Sequence, residues 1–175
     1  MQQAEEDLLV IAAQGGNQKA FQLLFNRYQK ALLRFAYKIC GDTELANDAT
    51  QDAWIKTAKE IRKIQDPRVF KSWIYRLVRW RCLDQMRQQG VRNKYFESIE
   101  DIDYVDKIEN VVDQSEELSA AIERMPPMEK QMIHLFYLDE LKVAEIASVL
   151  DIPTGTVKSR LNRARKLLKQ KFDIV

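Results

Sequence analysis

The chain has 175 residues, and its 28 Lys and Arg against 26 Asp and Glu leave a formal net charge of only +2. This length accommodates one or two small domains. No apolar run approaches the roughly 20 residues that a membrane-spanning helix needs. Glu5, Glu6 and Asp7 occupy the place where a signal peptide carries cations. We therefore expect a soluble cytoplasmic protein without membrane insertion.

The small net charge conceals three charged blocks. Residues 62–94 hold ten cations against Asp66 and Asp84, residues 97–117 hold nine acids against Lys107, and residues 158–171 hold seven cations and no acid. Two basic blocks that flank an acidic one are typical of a protein that binds a polyanion.

The sequence contains few residues that could bind a metal or a cofactor or catalyse a reaction. Cys40 and Cys82 stand apart from each other in helical patterns, so we interpret them as small buried hydrophobic residues rather than a disulfide or metal site. His134 is the only histidine, which leaves zinc almost without ligands. No carboxylate cluster, glycine-rich phosphate loop or nucleophile beside a histidine is visible. We predict that the chain is not an enzyme and has no small-molecule substrate.

The N-terminal half is predicted to be helical throughout. A short helix ends near Gly15, and Asn17 caps a second helix that continues to Gly41. A third helix opens at Thr43, and a fourth extends over residues 69–89. The apolar spacing predicts that the third helix packs inward through Leu45, Ala49, Ala53, Trp54, Ala58 and Ile61.

The fourth helix and the loop before it suggest contact with unpaired nucleic acid. Aromatic and cationic residues alternate along the helix, in the order Trp73, Tyr75, Arg76, Arg79, Trp80 and Arg81. Such residues hold unstacked bases against flat rings, and the loop at residues 62–68 has polar groups that could line a pocket for an extruded base. The alternative is a core stripe containing Trp73 and Trp80. We interpret Trp73 as core and leave Trp80 open.

The third helix also has a polar outer face. Gln51 and Asp52 follow Asp48 by three and four residues, so the three side chains lie together on one side of the helix. Taken alone, three such residues are typical of an ordinary solvated surface.

The C-terminal part carries a helix-turn-helix pattern. After an acidic linker at residues 93–114, Ser115 can cap a helix to Met125, Pro126 and Pro127 interrupt the chain, and residues 129–138 form another helix. Two further helices follow, separated by Asp151, Ile152 and Pro153, with their predicted inward stripes at Val143, Ile146, Ala147, Leu150, Val157, Leu161, Ala164 and Leu168.

The turn chemistry of this pair fits the pattern. Asp151 tolerates a left-handed backbone, Pro153 cannot continue the first helix, and Thr154 offers a hydroxyl to the start of the second. Lys142 is a poor cap for the first helix. The cationic outer face of the second helix suits a recognition helix in a DNA major groove.

The order of the segments resembles the extracytoplasmic-function (ECF) group of bacterial RNA polymerase sigma factors, in the sigma-70 family, over residues 20–171. The resemblance is carried by the strings AFQLLFNRY, ELANDATQDAWIKT, FKSWIYRLVRWRCLDQMR and IERMPPMEKQMIHLFYLDELKVAEIASVLDIPTGTVKSRLNRARKLL. It implies an all-α fold of two small helical domains: a region 2-like bundle at residues 1–92, the linker at 93–114, and a region 4-like helix-turn-helix domain at 115–175.

The resemblance also implies roles for individual residues. Asp48, Gln51, Asp52 and Trp54 match the segment that docks on the largest polymerase subunit. Residues that match the contact with the single-stranded minus-ten element are Arg62, Lys63, Gln65, Asp66, Tyr75, Arg76, Arg79 and Trp80. Trp80 departs from the asparagine that many relatives have there, which leaves the minus-ten specificity open. Lys158, Ser159, Asn162 and Arg163 match positions that face minus-thirty-five bases, and Thr156, Arg160 and Arg165 match phosphate contacts.

The implied function is that of an alternative sigma factor, which binds core RNA polymerase through its largest and second-largest subunits and directs promoter recognition and strand opening. The resemblance further implies an anti-sigma partner, which would hold the chain at the inner face of the membrane when that partner is a membrane protein. The alternative hypothesis is an autonomous helix-turn-helix regulator that binds operator DNA as a dimer.

Overall fold

The structure is a computed structural model that describes residues 3–90 and 114–172. Within these ranges the chain is all-α and contains no strand, as predicted. The predicted linker at residues 93–114 lies outside the described residues, apart from its last position.

Four helices form the N-terminal bundle: α1 (Gln3–Gln14), α2 (Gln18–Cys40), α3 (Thr43–Glu60) and α4 (Phe70–Gln88). Short 3-10 turns at Ile61–Lys63 and Pro67–Val69 connect α3 to α4. Asn17 caps α2, because its side chain accepts a hydrogen bond from the backbone N–H of Ala20 at 3.1 Å. Gly41 ends the same helix in the left-handed region at φ 67°. Both predictions are confirmed.

The start of α3 differs in one detail from the prediction. The cap is Asp42, whose extended backbone lets its carboxylate accept from the N–H of Leu45 at 2.9 Å. Thr43 is therefore the first residue of the helix. On the inward face, Ala58 is exposed where burial was predicted, and Thr57 is buried instead. Burial of Thr57 is tolerated because its hydroxyl donates to the carbonyl of Ala53 at 2.7 Å.

A buried polar contact fastens α1 to the bundle. Glu6 is 5% exposed and accepts hydrogen bonds from the Tyr28 hydroxyl and, at 3.1 Å, from Nε of Arg27. Burial, and then the neighbouring Glu6, raise the pKa of Tyr28 above its ordinary value. Tyr28 therefore stays a neutral donor to Glu6, which compensates the burial of this carboxylate.

The C-terminal unit consists of α5 (Gln114–Glu123), α6 (Pro127–Ile133), α7 (Val143–Leu150) and α8 (Thr154–Phe172). The first of these helices ends at Glu123, two residues before the predicted end at Met125. The next begins at Pro127, which the first turn of a helix accepts because that position needs no N–H donor. It widens into a π-helical turn at His134–Leu138, where an α-helix was predicted.

The turn between α7 and α8 follows the prediction at Asp151, which has φ 58° and ψ 46°. Thr154 lies inside α8, because the N–H of Val157 already bonds to the carbonyl of Pro153 at 3.1 Å. The start of α7 is better capped than predicted: Glu145 reaches back and accepts from the backbone N–H of Lys142 at 2.6 Å. The predicted inward stripes are confirmed, with Val143 and Leu168 half-buried and the others buried, namely Ile146, Ala147, Leu150, Val157, Leu161 and Ala164.

The two halves pack against each other. A continuous hydrophobic core joins buried residues of the N-terminal bundle, such as Phe35 and Ile74, to buried residues of the C-terminal unit, such as Leu135 and Ile146. The main contact runs between α4 and α7, and α2 contacts α6 beside it. We call this boundary between the bundle and the C-terminal unit the seam.

The bundle core predicts the outcome of two leucine truncations on α2. Leu32 is fully buried, so Leu32→Ala should lower the free energy of unfolding by about 2–5 kcal/mol, through lost burial and the cavity left behind. Leu23 is 52% exposed, and Leu23→Ala should cost less than about 1 kcal/mol. Urea unfolding followed by circular dichroism measures both values. Equal losses would contradict the burial of Leu32 and the exposure of Leu23.

Candidate nucleic-acid interface

The outer face of α8 presents a row of polar side chains to solvent. Lys158, Ser159, Asn162 and Arg163 are all exposed, while Val157, Leu161 and Ala164 on the opposite side are buried. The helix is therefore held by one face, and the other is free to enter a groove. The structure brings together the four residues predicted to face bases.

The three predicted phosphate contacts have different surroundings. Thr156 is half-buried, and its carbonyl accepts from the Ser159 hydroxyl at 3.1 Å. Arg160 is half-buried and lies 3.3 Å from a carboxylate oxygen of Glu129 on α6. Arg165 lies over the ring of Phe136 at 5.3 Å. Arg160 thus helps to join α6 to α8, a structural role that its charge alone did not predict.

A second polar surface lies in the loop between α3 and α4. Arg62, Lys63 and Gln65 are exposed there, and Asp66 is partly exposed. The loop borders a cavity of about 370 Å³, lined by Glu60, Lys63, Ile64, Gln65, Asp66, Val69 and Trp73. Apolar side chains and polar groups therefore share one concave surface, as a site for a base requires.

Asp66 organises this loop. Its carboxylate accepts from the backbone N–H of Arg68 at 3.0 Å and forms an ion pair with the Arg68 guanidinium at 2.8 Å. The hydrogen bonds from Arg68 lower the pKa of Asp66 below its ordinary value. Asp66 is thus an ionised acceptor at neutral pH, so the rim of the cavity carries both a fixed carboxylate and exposed cations.

The sequence left open whether Trp80 belongs to the core. In the structure its side chain is 52% exposed on α4, so it is not a core residue. Lys56 and Arg81 both lie over its ring, at 5.4 and 5.2 Å. Trp73 is half-buried against the core, in agreement with its interpretation as core, and also lines the cavity. Trp80 is therefore an available aromatic surface beside two cations.

Tyr75 and Arg79, which were predicted to contact DNA, lie in the seam. Tyr75 is 1% exposed and packs on Phe35, and burial followed by the nearby Asp139 raises its pKa. Arg79 is half-buried, its Nε donates to the side-chain carbonyl of Gln131 at 2.8 Å, and burial lowers its pKa. In this arrangement Tyr75 is a core residue, which the sequence prediction did not anticipate.

Arg76 lies on the solvent-exposed side of α4, beside the seam. It is exposed, and its guanidinium lies 3.7 Å from the carboxylate of Asp151 in the helix-turn-helix turn. The eight residues predicted for the minus-ten contact are therefore divided between the open loop, the exposed side of α4 and the seam.

The polar contacts of the seam were missed by sequence reasoning. Lys71 donates to the backbone carbonyl of Asp139 at 2.7 Å, and Nε2 of His134 lies 3.1 Å from the Asp139 carboxylate. Lys38 of the bundle pairs with Glu123, whose pKa this contact lowers. Lys71 and Lys38 each contact a segment distant in the chain, so no local spacing could have indicated these two contacts.

The outer face of α3 has the predicted polar character. Asp48, Gln51 and Asp52 are exposed together, and Ile55, which the sequence analysis did not single out, is 49% exposed one turn further along. Trp54 is only 6% exposed. Its ring packs on Phe21 and Phe25, and its Nε1 donates to Gln29 at 2.7 Å. Trp54 therefore anchors α3 to α2 instead of belonging to the exposed face.

Metal-binding clusters and membrane-spanning helices are both absent from the residues that the structure describes. Among them, no group of three or more His, Cys, Asp or Glu side chains is placed to hold a metal ion. Their helices also include none that is long and apolar enough to traverse a bilayer.

The different exposure of the tryptophans predicts their accessibility to a quencher. Trp80→Phe should lower the slope of acrylamide quenching, because it removes an exposed emitter. Trp54→Phe should raise the slope, because the remaining emission then comes from more accessible rings. Steady-state fluorescence of the folded variants measures both slopes. A rise in the Trp80→Phe variant would contradict the exposed position.

Comparison with known proteins identifies the family of the chain. Residues 24–92 match the family model for sigma-70 region 2, and residues 115–168 match the model for sigma-70 region 4. The chain is 30% identical to the ECF RNA polymerase sigma factor SigW of Bacillus subtilis (strain 168), covering 90% of this chain and 91% of that protein. It is 33% identical to the ECF RNA polymerase sigma-E factor of Escherichia coli (strain K12), covering 97% of this chain and 95% of that protein.

Two solved structures have the same fold. CnrH, in complex with the cytosolic domain of CnrY, aligns with a TM-score of 0.65 and 22% identity over 96% of this chain and 97% of that one. The sigma factor RpoE from Bartonella quintana, in complex with the anti-sigma factor NepR, aligns with a TM-score of 0.66 and 20% identity over 89% and 98%. Family models and relatives together show that the chain belongs to the ECF RNA polymerase sigma factors of the sigma-70 family.

Proposed function

We propose that this sigma factor binds core RNA polymerase, recognises minus-thirty-five and minus-ten promoter elements, and assists opening of the DNA strands. The observation that carries the proposal is the outer face of α8, where Lys158, Ser159, Asn162 and Arg163 are exposed above a buried stripe. The proposal needs no catalytic group, metal or cofactor, because each step is a binding event.

The four exposed residues of α8 have the chemistry to read base edges in the minus-thirty-five element. Arg and Lys donate to guanine acceptors, Asn pairs with adenine, and Ser contacts either. Thr156 and Arg165 would hold phosphates, which fix the register of the helix on DNA without reading sequence. Arg160 would make a phosphate contact only by exchanging its contact with Glu129, which lies 3.3 Å away.

The cavity beside the α3–α4 loop supports capture of an unpaired minus-ten base. Its wall includes Trp73 and Ile64, and its rim includes Lys63, Gln65 and Asp66. The exposed ring of Trp80 could stack on a second base, and Lys56 and Arg81 beside it favour a polyanion. Affinity for the unpaired form shifts the duplex toward the open state, which is sufficient for strand opening.

The exposed face of α3 is the proposed docking surface for the largest polymerase subunit. Asp48, Gln51 and Asp52 supply polar contacts, and the exposed Ile55 adds an apolar one. Trp54 is buried below this surface and holds α3 in place on α2 through its contacts with Phe21, Phe25 and Gln29. The C-terminal unit would contact the second-largest subunit.

Promoter contact through Tyr75 and Arg79 requires the two halves to separate. Both side chains are covered by the C-terminal unit, through Asp139 and Gln131. A polymerase that binds each half at a separate site favours the separated state by its difference in affinity for the two arrangements. We propose that the packed arrangement is the free state and that core polymerase selects the open one.

An anti-sigma factor is a further proposed partner. The structures of CnrH and of RpoE are complexes with CnrY and NepR, and both share the present fold. A partner that binds both halves at once would prevent their separation and cover the residues proposed to contact the promoter. We propose a cytoplasmic location for the free chain, or the inner face of the membrane when a membrane anti-sigma factor holds it.

Transcription in vitro with purified core polymerase and a genomic promoter library tests the proposal. The wild-type chain should redirect initiation to a distinct set of promoters. Asp52→Arg should weaken binding to core polymerase at least about tenfold, because it reverses the charge at the centre of the proposed docking surface. Glu140→Arg makes the same charge change at an exposed position outside α3 and should leave binding nearly unchanged.

Two results would contradict this assignment. A chain that never joins core polymerase, or joins it without changing the start sites, is not acting as a sigma factor. Tight binding of the free protein as a dimer to a palindrome would favour an autonomous regulator.

Two arginines of α8 should give different defects. Arg163→Ala should reduce discrimination between the preferred and a substituted minus-thirty-five element by about 1–3 kcal/mol, or roughly 5–150-fold. Arg165→Ala should weaken all sequences alike and reduce the salt dependence by about one phosphate contact. Titration of reconstituted holoenzyme on matched promoters at several salt concentrations separates them. Identical effects of both variants on discrimination would refute the proposed division of roles.

A further inference from the structure

The fold brings together two cysteines that the sequence analysis treated as isolated. Cys40 is the last residue of α2, Cys82 lies in α4, and both are free thiols. Sγ of Cys82 lies 4.0 Å from the backbone carbonyl oxygen of Ala36, one helical turn before Cys40. Because helical side chains lean toward the N-terminus, the Cys40 thiol covers the same turn. The two thiols therefore meet at one point between α2 and α4.

The two thiols differ in their access to solvent. Cys82 is fully buried, whereas Cys40 is half-buried and opens into a cavity of about 390 Å³ at the seam. Met86, one turn after Cys82 on α4, lines the same cavity, which places the end of α2 beside this part of α4. A small oxidant could thus reach Cys40 first and find Cys82 directly behind it.

The surroundings also distinguish the two thiols chemically. The hydrogen bond with Cys82 lowers the pKa of Cys40 below its ordinary value. The same contact, and then burial, raise the pKa of Cys82. Lys38 and Lys130 line the cavity as well, although both pair with Glu123. Cys40 therefore has the thiolate character and access of an attacking residue, and Cys82 has the position of a resolving one.

We propose that Cys40 and Cys82 form a dithiol that hydrogen peroxide oxidises to an intramolecular disulfide. The Cys40 thiolate attacks one peroxide oxygen, the O–O bond breaks, and the departing hydroxide takes up a proton to become water. The Sγ of Cys82 then attacks the resulting Cys40 sulfenic acid, forms the S–S bond and releases a second water. In total, two thiols are oxidised and one peroxide is reduced to two waters.

The disulfide would join the end of α2 to α4 within the bundle. Formation requires the two Cα atoms to lie within about 7 Å and the Cβ atoms near 4 Å. The small side chain of Ala36 at the contact favours such close approach of the helices. Since α4 also carries Trp80 and faces the C-terminal unit, the bond would act on the helix common to the bundle and the seam. The proposal does not depend on the promoter contacts.

Peptide mapping of the full-length chain after treatment with hydrogen peroxide provides the test. The oxidised protein should remain monomeric, lose the mass of two hydrogen atoms, and regain it with dithiothreitol. After alkylation, a non-reducing tryptic digest should link residues 39–56 to residues 82–87. The urea midpoint of the oxidised chain should shift upward, because the bond restricts the unfolded state.

Two variants identify the order of attack. In Cys82→Ala, the sulfenic acid on Cys40 has no resolving thiol and should accumulate, giving several-fold more dimedone label than the wild type. In Cys40→Ser, the buried Cys82 should remain unlabelled and no link should form. A wild-type chain without the linked peptides after peroxide treatment overturns the proposal. Cross-linking between chains through Cys40, or dimedone labelling of Cys40 in the wild type equal to that in Cys82→Ala, overturns it as well.

Discussion

The packing of α4 against α7 is the contact on which the rest of the arrangement depends. One side of α4 completes the core of the N-terminal bundle, and another side meets the first helix of the helix-turn-helix. Because one helix serves both contacts, residues that face DNA in the proposed function are also residues that hold the two halves together. In the proposed function, promoter contact and packing would therefore compete for Tyr75 and Arg79, and an external partner would be needed to favour one of them.

Polar contacts accompany the apolar core across the seam. Arg79 is taken largely out of water but retains a hydrogen bond to Gln131, and the ammonium of Lys71 bonds to the carbonyl of Asp139. A cation that leaves water and bonds to a neutral carbonyl regains only part of its hydration, so the net contribution of each contact is small. The apolar core across the seam holds the halves together, while these polar contacts specify how they fit.

The sequence predicted most of the helices and their ends, because capping residues and apolar spacing act over a few residues. Asn17, Gly41 and Asp151 occupy the places expected of them for this reason. Apolar spacing also predicted Trp54 on the inward side of α3, and its contacts with Gln29 and two phenylalanines confirm that position. The site was harder to predict. The family resemblance included Arg160 among the phosphate contacts, although Glu129 from another helix lies 3.3 Å from it, and neither the seam nor the meeting of Cys40 with Cys82 has any local signature.

The π-helical turn at His134–Leu138 has a consequence for the orientation of the whole C-terminal end. The N–H of Asp139 bonds to the carbonyl of His134, five residues back, so this turn contains one residue more than an α-helical turn would. Loss of one residue there would restore regular winding and rotate everything downstream by about 100°. Insertions and deletions in this short stretch would thus rotate the exposed face of α8 as a rigid block, and its length is under a geometric constraint that composition does not reveal.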